Sequence, residues 1–351
     1  MTDQTRIGYT LYGVRLSLFT RKMEAALELQ GVPHLYRAKT VFLRSKLEAR
    51  AGTHLIPLLE TPEGWLLYDS TPMIELLGAR YPATRLIPSD ASGVIVRLVE
   101  EWLDEWFSRA VLHFRWNNPE SASVAAAAIA AEMTPFAPRF ATRRLARTLQ
   151  HWGGRACRAF GLESAVQRAG VEEEALRLYQ ALEKQLETTP FALGARPTAV
   201  DAALLGGLRA HMLPDPAPRR LLEEFPRVLA WAGPSTTNDP SVGAPSGDES
   251  TALRGASPLD LEGPLARAIF ELAGETFLGF VSENRRAANR GEGVFYQSVY
   301  GESTSFRVRP EMERARRMLA ERIVAAGHRP ALARVAERTD DARWLELWGQ
   351  A

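Results

Sequence analysis

A single cysteine, Cys157, stands in a chain of 351 residues. No internal disulfide can form, and one thiol cannot build a cysteine-zinc centre, so no metal is expected. Such usage fits a reducing compartment, and the expected location is the cytoplasm. Excess charge of either sign is also missing: 43 Lys and Arg against 42 Asp and Glu leave +1. A nucleic-acid partner would call for a basic excess, so none is expected. No window approaches the roughly 18 uninterrupted apolar residues that a membrane helix needs, so no span is expected. The opening residues MTDQTRIGYTLYG carry no apolar signal core. What remains, 46% hydrophobic and 24% charged, is an ordinary globular composition. The length exceeds one typical core and suggests two or three domains.

The most informative stretch is IPLLETPEGWLLYDSTPMIELL, from Ile56 to Leu77. A β-branched residue precedes Pro57, two short apolar runs flank an acidic-glycine turn, and Asp69-Ser70 opens an amphipathic segment. That order predicts strand, turn, strand, helix. Upstream, residues 9–14 read as a strand and Ser17 to Leu29 as a helix with Phe19, Met23, Ala26 and Leu27 on its apolar stripe. Arg21, Lys22, Glu24 and Glu28 fall elsewhere on that helix. A strand at His34–Tyr36 and a weaker helix at Val41–Ala51 complete a β-α-β-α-β-β-α unit, with the third helix over Ser70–Tyr81.

After a linker at Pro82–Ser89 the pattern is helical from Gly93 to Trp231. It includes an Ala-rich helix over Ser121–Glu132, a segment over 138–160 with many Arg on one presented face, and an amphipathic helix over Val171–Leu186. Thr198-Ala199-Val200-Asp201 has capping-box form. Residues 233–258, dense in Gly, Ser, Pro and Asp, read as a long flexible loop. Beyond it lie a helix over Leu259–Ala288, two extended runs about Tyr300-Gly301, a helix from Pro310 to Ala326, and a last helix through Trp344 and Trp348.

Three local patterns carry a resemblance. Ser17-Leu18-Phe19-Thr20-Arg21-Lys22-Met23 resembles Ser-Pro-Phe-x-Arg-Lys-Val. Ile56-Pro57-Leu58-Leu59 with Gly64 and Asp69-Ser70 resembles Val-Pro-x-Leu…Gly…Glu-Ser. Phe191-Ala192-Leu193-Gly194 with Thr198-Ala199-Val200-Asp201 resembles Phe-x-x-Gly…Ser/Thr-x-Ala-Asp. In this order they resemble the cytosolic glutathione transferases. The resemblance implies an α/β thioredoxin-like N-terminal domain (1–82) and an all-α C-terminal domain (90–232). A mainly helical C-terminal extension, residues 259–351, lies beyond the pattern.

The resemblance also implies a chemistry, with glutathione as co-substrate and no metal. Pro57 would be cis, and the backbone of Ile56 would hold the cysteinyl part of glutathione. Asp69 and Ser70 would take the γ-glutamyl end, since a helix N-terminus favours an anion. From the residues alone, Ser70 reads equally as a helix N-cap. Ser17 is the candidate catalytic residue, with Tyr12 as the alternative. Thiolate is the nucleophile, and lowering a thiol pKa near 8.5 by two units takes about 2.7 kcal/mol of preferential stabilisation. A serine hydroxyl and the N-terminus of the first helix are the groups to supply it. Thr198 and Asp201 read as structural capping residues.

The electrophile side of the cleft would draw on Trp106, His113, Arg115 and Trp116. The expected partners are therefore glutathione and a small apolar electrophile, in a homodimer, with detoxification as the expected role. Two alternatives remain at this point. One is a glutathione-dependent isomerase, lyase or dehalogenase. The other is a non-catalytic binding or scaffold protein, because the Phe191–Asp201 stretch also resembles the metaxin-like branch.

Overall fold

Backbone hydrogen bonding defines the elements over residues 8–233 and 259–350, the part that the computed structural model describes. β1 (Tyr9–Gly13), α1 (Leu18–Leu29), β2 (His34–Ala38), α2 (Val41–Ala51), β3 (Leu58–Glu60), β4 (Leu66–Tyr68) and α3 (Ser70–Arg80) follow in the expected order. α1 forms because Met23, Ala26 and Leu27 recur at helical spacing and are fully buried. The Ser17 hydroxyl accepts from the Thr20 N–H to cap it. Pro57 has no N–H for a ladder, and β3 starts just after it, at Leu58.

The four strands lie in the order β2-β1-β3-β4, with β1 and β2 parallel and β3 antiparallel to both neighbours β1 and β4. Register fixes one row across the sheet: Arg37 beside Tyr12, Tyr12 beside Leu58, Leu58 beside Tyr68. The segments that leave this row are Val14–Ser17, Ile56–Pro57 and Asp69–Ser70. All three therefore emerge at the same end of the sheet.

The helical part begins with α4 (Ser92–Trp102), passes through a π-helical turn at Leu103–Phe107, and continues as α5 (Ser108–Trp116). α6 (Pro119–Met133), α7 (Arg139–Ala159), α8 (Ala165–Gln185), α9 (Ala199–Gly207), α10 (Pro216–Leu222) and α11 (Pro226–Ala232) follow. A second π turn, Leu208–Met212, extends α9. α1 lies across α9 so closely that a Cβ on Gly206 would sit 2.9 Å from the Leu18 carbonyl oxygen. This thioredoxin-like sheet unit, followed by an all-helical region, is the fold class that the resemblance implied.

The extension folds back on the helical region. α12 (Pro264–Leu272), a third π turn (Ala273–Phe277) and α13 (Leu278–Asn289) lead into an antiparallel hairpin, β5 (Val294–Val299) and β6 (Glu302–Arg307). Phe277, Phe280 and Phe306 surround the Trp106 indole at centroid distances of 6.4, 5.1 and 6.1 Å. α14 (Pro310–Ala325), α15 (Arg329–Thr339) and α16 (Arg343–Trp348) close the fold. The single last helix expected from the sequence is two helices, because Asp340 adopts φ 50° and ends α15. The loop expected at 233–258 lies, from residue 234 on, outside the described residues.

Asp201 is a structural device in α9. Its carboxylate accepts from the Ala192 N–H (2.7 Å), the Thr198 N–H (2.7 Å) and the Thr198 hydroxyl (2.9 Å), fully buried. Asp201→Ala strands two buried N–H donors, each worth about 1–3 kcal/mol. Denaturant unfolding is expected to show a loss of roughly 2–5 kcal/mol; a change under about 0.5 kcal/mol, the range of neutral surface substitutions, would contradict this role.

Candidate functional site

The end of the sheet reached by the Tyr12–Leu58–Tyr68 row gathers two helix N-termini and one proline. Ser17 stands half-buried at the start of α1, in extended backbone, with its Oγ 3.5 Å from the Thr20 nitrogen. The Ile56–Pro57 bond is cis, with Pro57 buried. Asp69 adopts φ 73° and is itself the cap residue of α3, so Ser70 is the first helical residue and not the N-cap expected from the sequence. Neither α1 nor α3 has an acid in its first turn, although Asp69 stands at the cap position of α3. Partial desolvation raises the Asp69 carboxyl above its ordinary range.

Tyr12 does not share this location. It points to the α2 side of the sheet, against Leu47 and Leu58, and its hydroxyl donates to Glu60 at 3.0 Å. Burial, then the Glu60 charge, push its phenol pKa up, the wrong direction for a group meant to ionise.

A buried junction that sequence reasoning missed joins the two helix starts. Lys22 of α1 is completely buried and donates to Glu100 of α4 at 2.6 Å, and to Asp104 in the π turn. Thr71, in the first turn of α3, donates its hydroxyl to the same Glu100 oxygen at 2.8 Å. Arg97 also pairs with Glu100. Thus α1, α3 and α4 meet at one carboxylate. The only sequence signal was the Arg-Lys pair in the first turns of α1, which helical spacing alone assigns to a solvated face.

The four residues expected on the electrophile side are not brought together on one wall. Trp106 is fully buried under the extension, and its indole N–H donates to Glu174. Arg115 is 1% exposed and saturated: it donates to Asp215 at 2.7 Å, to the Leu16 carbonyl at 2.6 Å and to the Ala210 carbonyl. It therefore braces the loop that carries Ser17 from behind. Trp116 packs over Gly153, where a Cβ would come within 2.2 Å of the ring. His113 alone reaches a cavity, of about 570 Å³, beside Asn117, Glu172 and Leu221. Its Nε2 lies 2.8 Å from Glu172, and burial lowers its pKa. Cys157 is buried and its thiol is pushed up to about 12 by desolvation, which suits a packing residue and not a nucleophile.

Glu101, next to the junction, is 6% exposed, and its nearest cation is Arg97 at 3.8 Å. Desolvation raises its carboxyl to about 8; Arg97 and Lys22 oppose this, while Glu105 and Asp104 add to it.

Residues 11–85 match the family model of the glutathione S-transferase N-terminal domain, and residues 165–233 that of the C-terminal domain. A maleylpyruvate isomerase of Ralstonia is 34% identical over 87 residues, which is 24% of this chain and 41% of that protein. The match therefore spans about two-fifths of that relative's length. A glutathione S-transferase of Ceriporiopsis subvermispora, solved in complex with glutathione, is 16% identical with a TM-score of 0.45, covering 64% of this chain and 94% of its own. One from Rhodospirillum rubrum is 17% identical with a TM-score of 0.40, covering 64% and 86%.

Two outcomes are expected here. Lys22→Met leaves Glu100 and Asp104 with less compensation in the interior and should cost roughly 3–5 kcal/mol in denaturant unfolding. Lys22→Met with Glu100→Met should recover part of that loss; a double variant as unstable as the single one would show that burial of the carboxylate is not the cause. For Glu101 the folded carboxyl holds its proton up to about pH 8, whereas the unfolded one ionises near 4.5. The folded state binds more protons between those values, so this group's contribution to stability is present below pH 4.5 and lost as pH rises through 8. Melting temperature should fall between about pH 4.5 and 8 in the wild type and fall less in Glu101→Gln; parallel curves would exclude Glu101 as the source.

Proposed function

Because the chain belongs to the glutathione transferase family, we propose that it binds glutathione where Ser17, Ile56–Pro57 and Asp69–Ser70 converge, and delivers its thiolate to a small apolar electrophile. One observation carries this reading: the Tyr12–Leu58–Tyr68 row sends all three segments out at the same end of the sheet. The division into a glutathione-binding part (1–82) and a helical part (90–232) belongs to the same reading.

The backbone of Ile56 is the partner for the cysteinyl portion, and the Ser70 N–H and hydroxyl at the start of α3 take the γ-glutamyl carboxylate. Asp69 faces the γ-glutamyl ammonium. Ser17 donates its hydroxyl to the sulfur and, with the α1 dipole, favours the thiolate. The thiol proton leaves to solvent, the sulfur forms a bond to the electrophilic carbon, and the leaving group departs with its electron pair. Arg115, through the Leu16 carbonyl, is a positioning residue for this loop. A cytoplasmic location, a detoxifying role and a homodimer complete the reading. Among the described residues, no helix is long and apolar enough to cross a membrane.

The relative named maleylpyruvate isomerase favours a second reading on the same site. There the thiolate adds to one carbon of a conjugated double bond, the resulting single bond rotates, and the thiolate is expelled. Glutathione is returned unchanged, so its consumption separates conjugation from isomerisation.

Calorimetry with glutathione, followed by ultraviolet titration of the bound thiol, tests both readings. Millimolar-or-tighter binding with a lowered thiol pKa is expected. Ser17→Ala should raise that pKa by about one unit, equivalent to about 1.4 kcal/mol, with affinity within a few-fold. Ser70→Ala should weaken binding by roughly 0.5–1.5 kcal/mol. Absence of binding at millimolar glutathione removes the proposal. A collapse of affinity in Ser17→Ala without a pKa change makes Ser17 a binding residue instead.

A further inference from the structure

α7 has no part in the site described above, and its composition is unlike any other helix of the fold. Its 21 residues, Arg139–Ala159, contain six arginines and no aspartate or glutamate. The helix is held to the body by a narrow face: Gly153 against Trp116, buried Cys157, and half-buried Ala146 and Leu149. The opposite face is open. Positions 140, 144, 147, 151, 155 and 158 recur every three or four residues and form one exposed row: Phe140, Arg144, Arg147, His151, Arg155 and Arg158. Arg139 and Arg143 flank it at the N-terminal end. Among the described residues, the one ion pair of these six arginines is Arg158 with Glu163, at 4.0 Å.

The second observation is apolar. Phe136, in the turn before α7 between Pro135 and Pro138, is 87% exposed, and Phe140 in its first turn is 75% exposed. Trp152 and Val124 are 49% and 46% exposed. Two phenylalanines that project into water at the tip of an arginine row contribute nothing to the core of this fold. They match a surface that offers phosphate in front and hydrocarbon behind.

We propose that the α6–α7 tip and the exposed face of α7 form a docking surface for a lipid bilayer carrying anionic headgroups. Phe136 and Phe140 enter the acyl boundary, and Arg143, Arg144, Arg147 and Arg155 meet the headgroup phosphates. The attachment is peripheral and reversible. Charge complementarity alone would also suit a nucleic acid, but a duplex would occupy the arginines and leave both phenylalanines in water. The bilayer uses both features at once.

The test is co-sedimentation of the full chain with vesicles of phosphatidylcholine alone, and of phosphatidylcholine mixed with phosphatidylglycerol. Binding is expected on the mixed vesicles only, weakening as salt is raised. Phe136→Ser with Phe140→Ser should reduce partitioning about tenfold or more. Arg143→Gln, Arg144→Gln and Arg147→Gln together should reduce it roughly a hundredfold. All five side chains are exposed, so unchanged circular dichroism and unchanged melting temperature are expected of both variants. Absence of binding to the mixed vesicles overturns the proposal. So does equal binding to both vesicle types. So does binding that is indifferent to the phenylalanine changes and is matched by a mixed-sequence DNA duplex, which would assign the face to polyanions instead.

Discussion

One carboxylate organises the end of the molecule where the chemistry is proposed. Glu100 sits completely out of water and takes the Lys22 ammonium from α1, the Thr71 hydroxyl from α3 and the Arg97 guanidinium from its own helix. A buried ion survives only when its partners replace the lost hydration, so each of these contacts is obligatory for the others. Lys22 is five residues from Ser17 and Thr71 is one residue from Ser70. The distance between the two helix N-termini is therefore governed by a cluster that lies behind them and takes no part in recognition.

That cluster continues along α4. Asp104 and Glu105 lie in the π turn, where the backbone bulges, and Arg309 from the start of α14 reaches Glu105 at 2.9 Å. The extension is thus tied electrostatically to the helix that also supports the sheet unit. It is tied by packing too: Trp106 in the same turn is enclosed by Phe277, Phe280 and Phe306. Arg322 pairs with Glu75 on α3, which extends the attachment to the sheet unit itself. The last ninety or so residues are a structural part of the molecule, since removing them would strip the cover from a tryptophan and a row of carboxylates.

Local chemistry was legible in the sequence, and distant chemistry was not. The order of β1 to α3, the capping box at Thr198–Asp201, the hairpin around Tyr300-Gly301 and the arginine face of α7 all depend on residues a few positions apart. Periodicity and turn residues report such things directly. The junction depends on partners 78 and 82 residues away from Lys22. Helical spacing put Lys22 and Glu24 on the polar side of α1, yet both are buried, because that side faces α4 and the Arg15 loop instead of water. The same blindness explains the aromatic segment of α4–α5. An amphipathic pattern says that Trp106 and Arg115 face something; it does not say that the something is the extension for one and the Leu16 carbonyl for the other.

Gly206 carries a consequence for motion. At that position α9 touches the backbone of α1, with room for a hydrogen and nothing larger between them. Contact at this range leaves no layer of side chains to slide or repack when one half tilts against the other, and hinge or shear closure needs such a layer or a free linker. A tilt of the sheet unit against the helical region is therefore opposed at this contact.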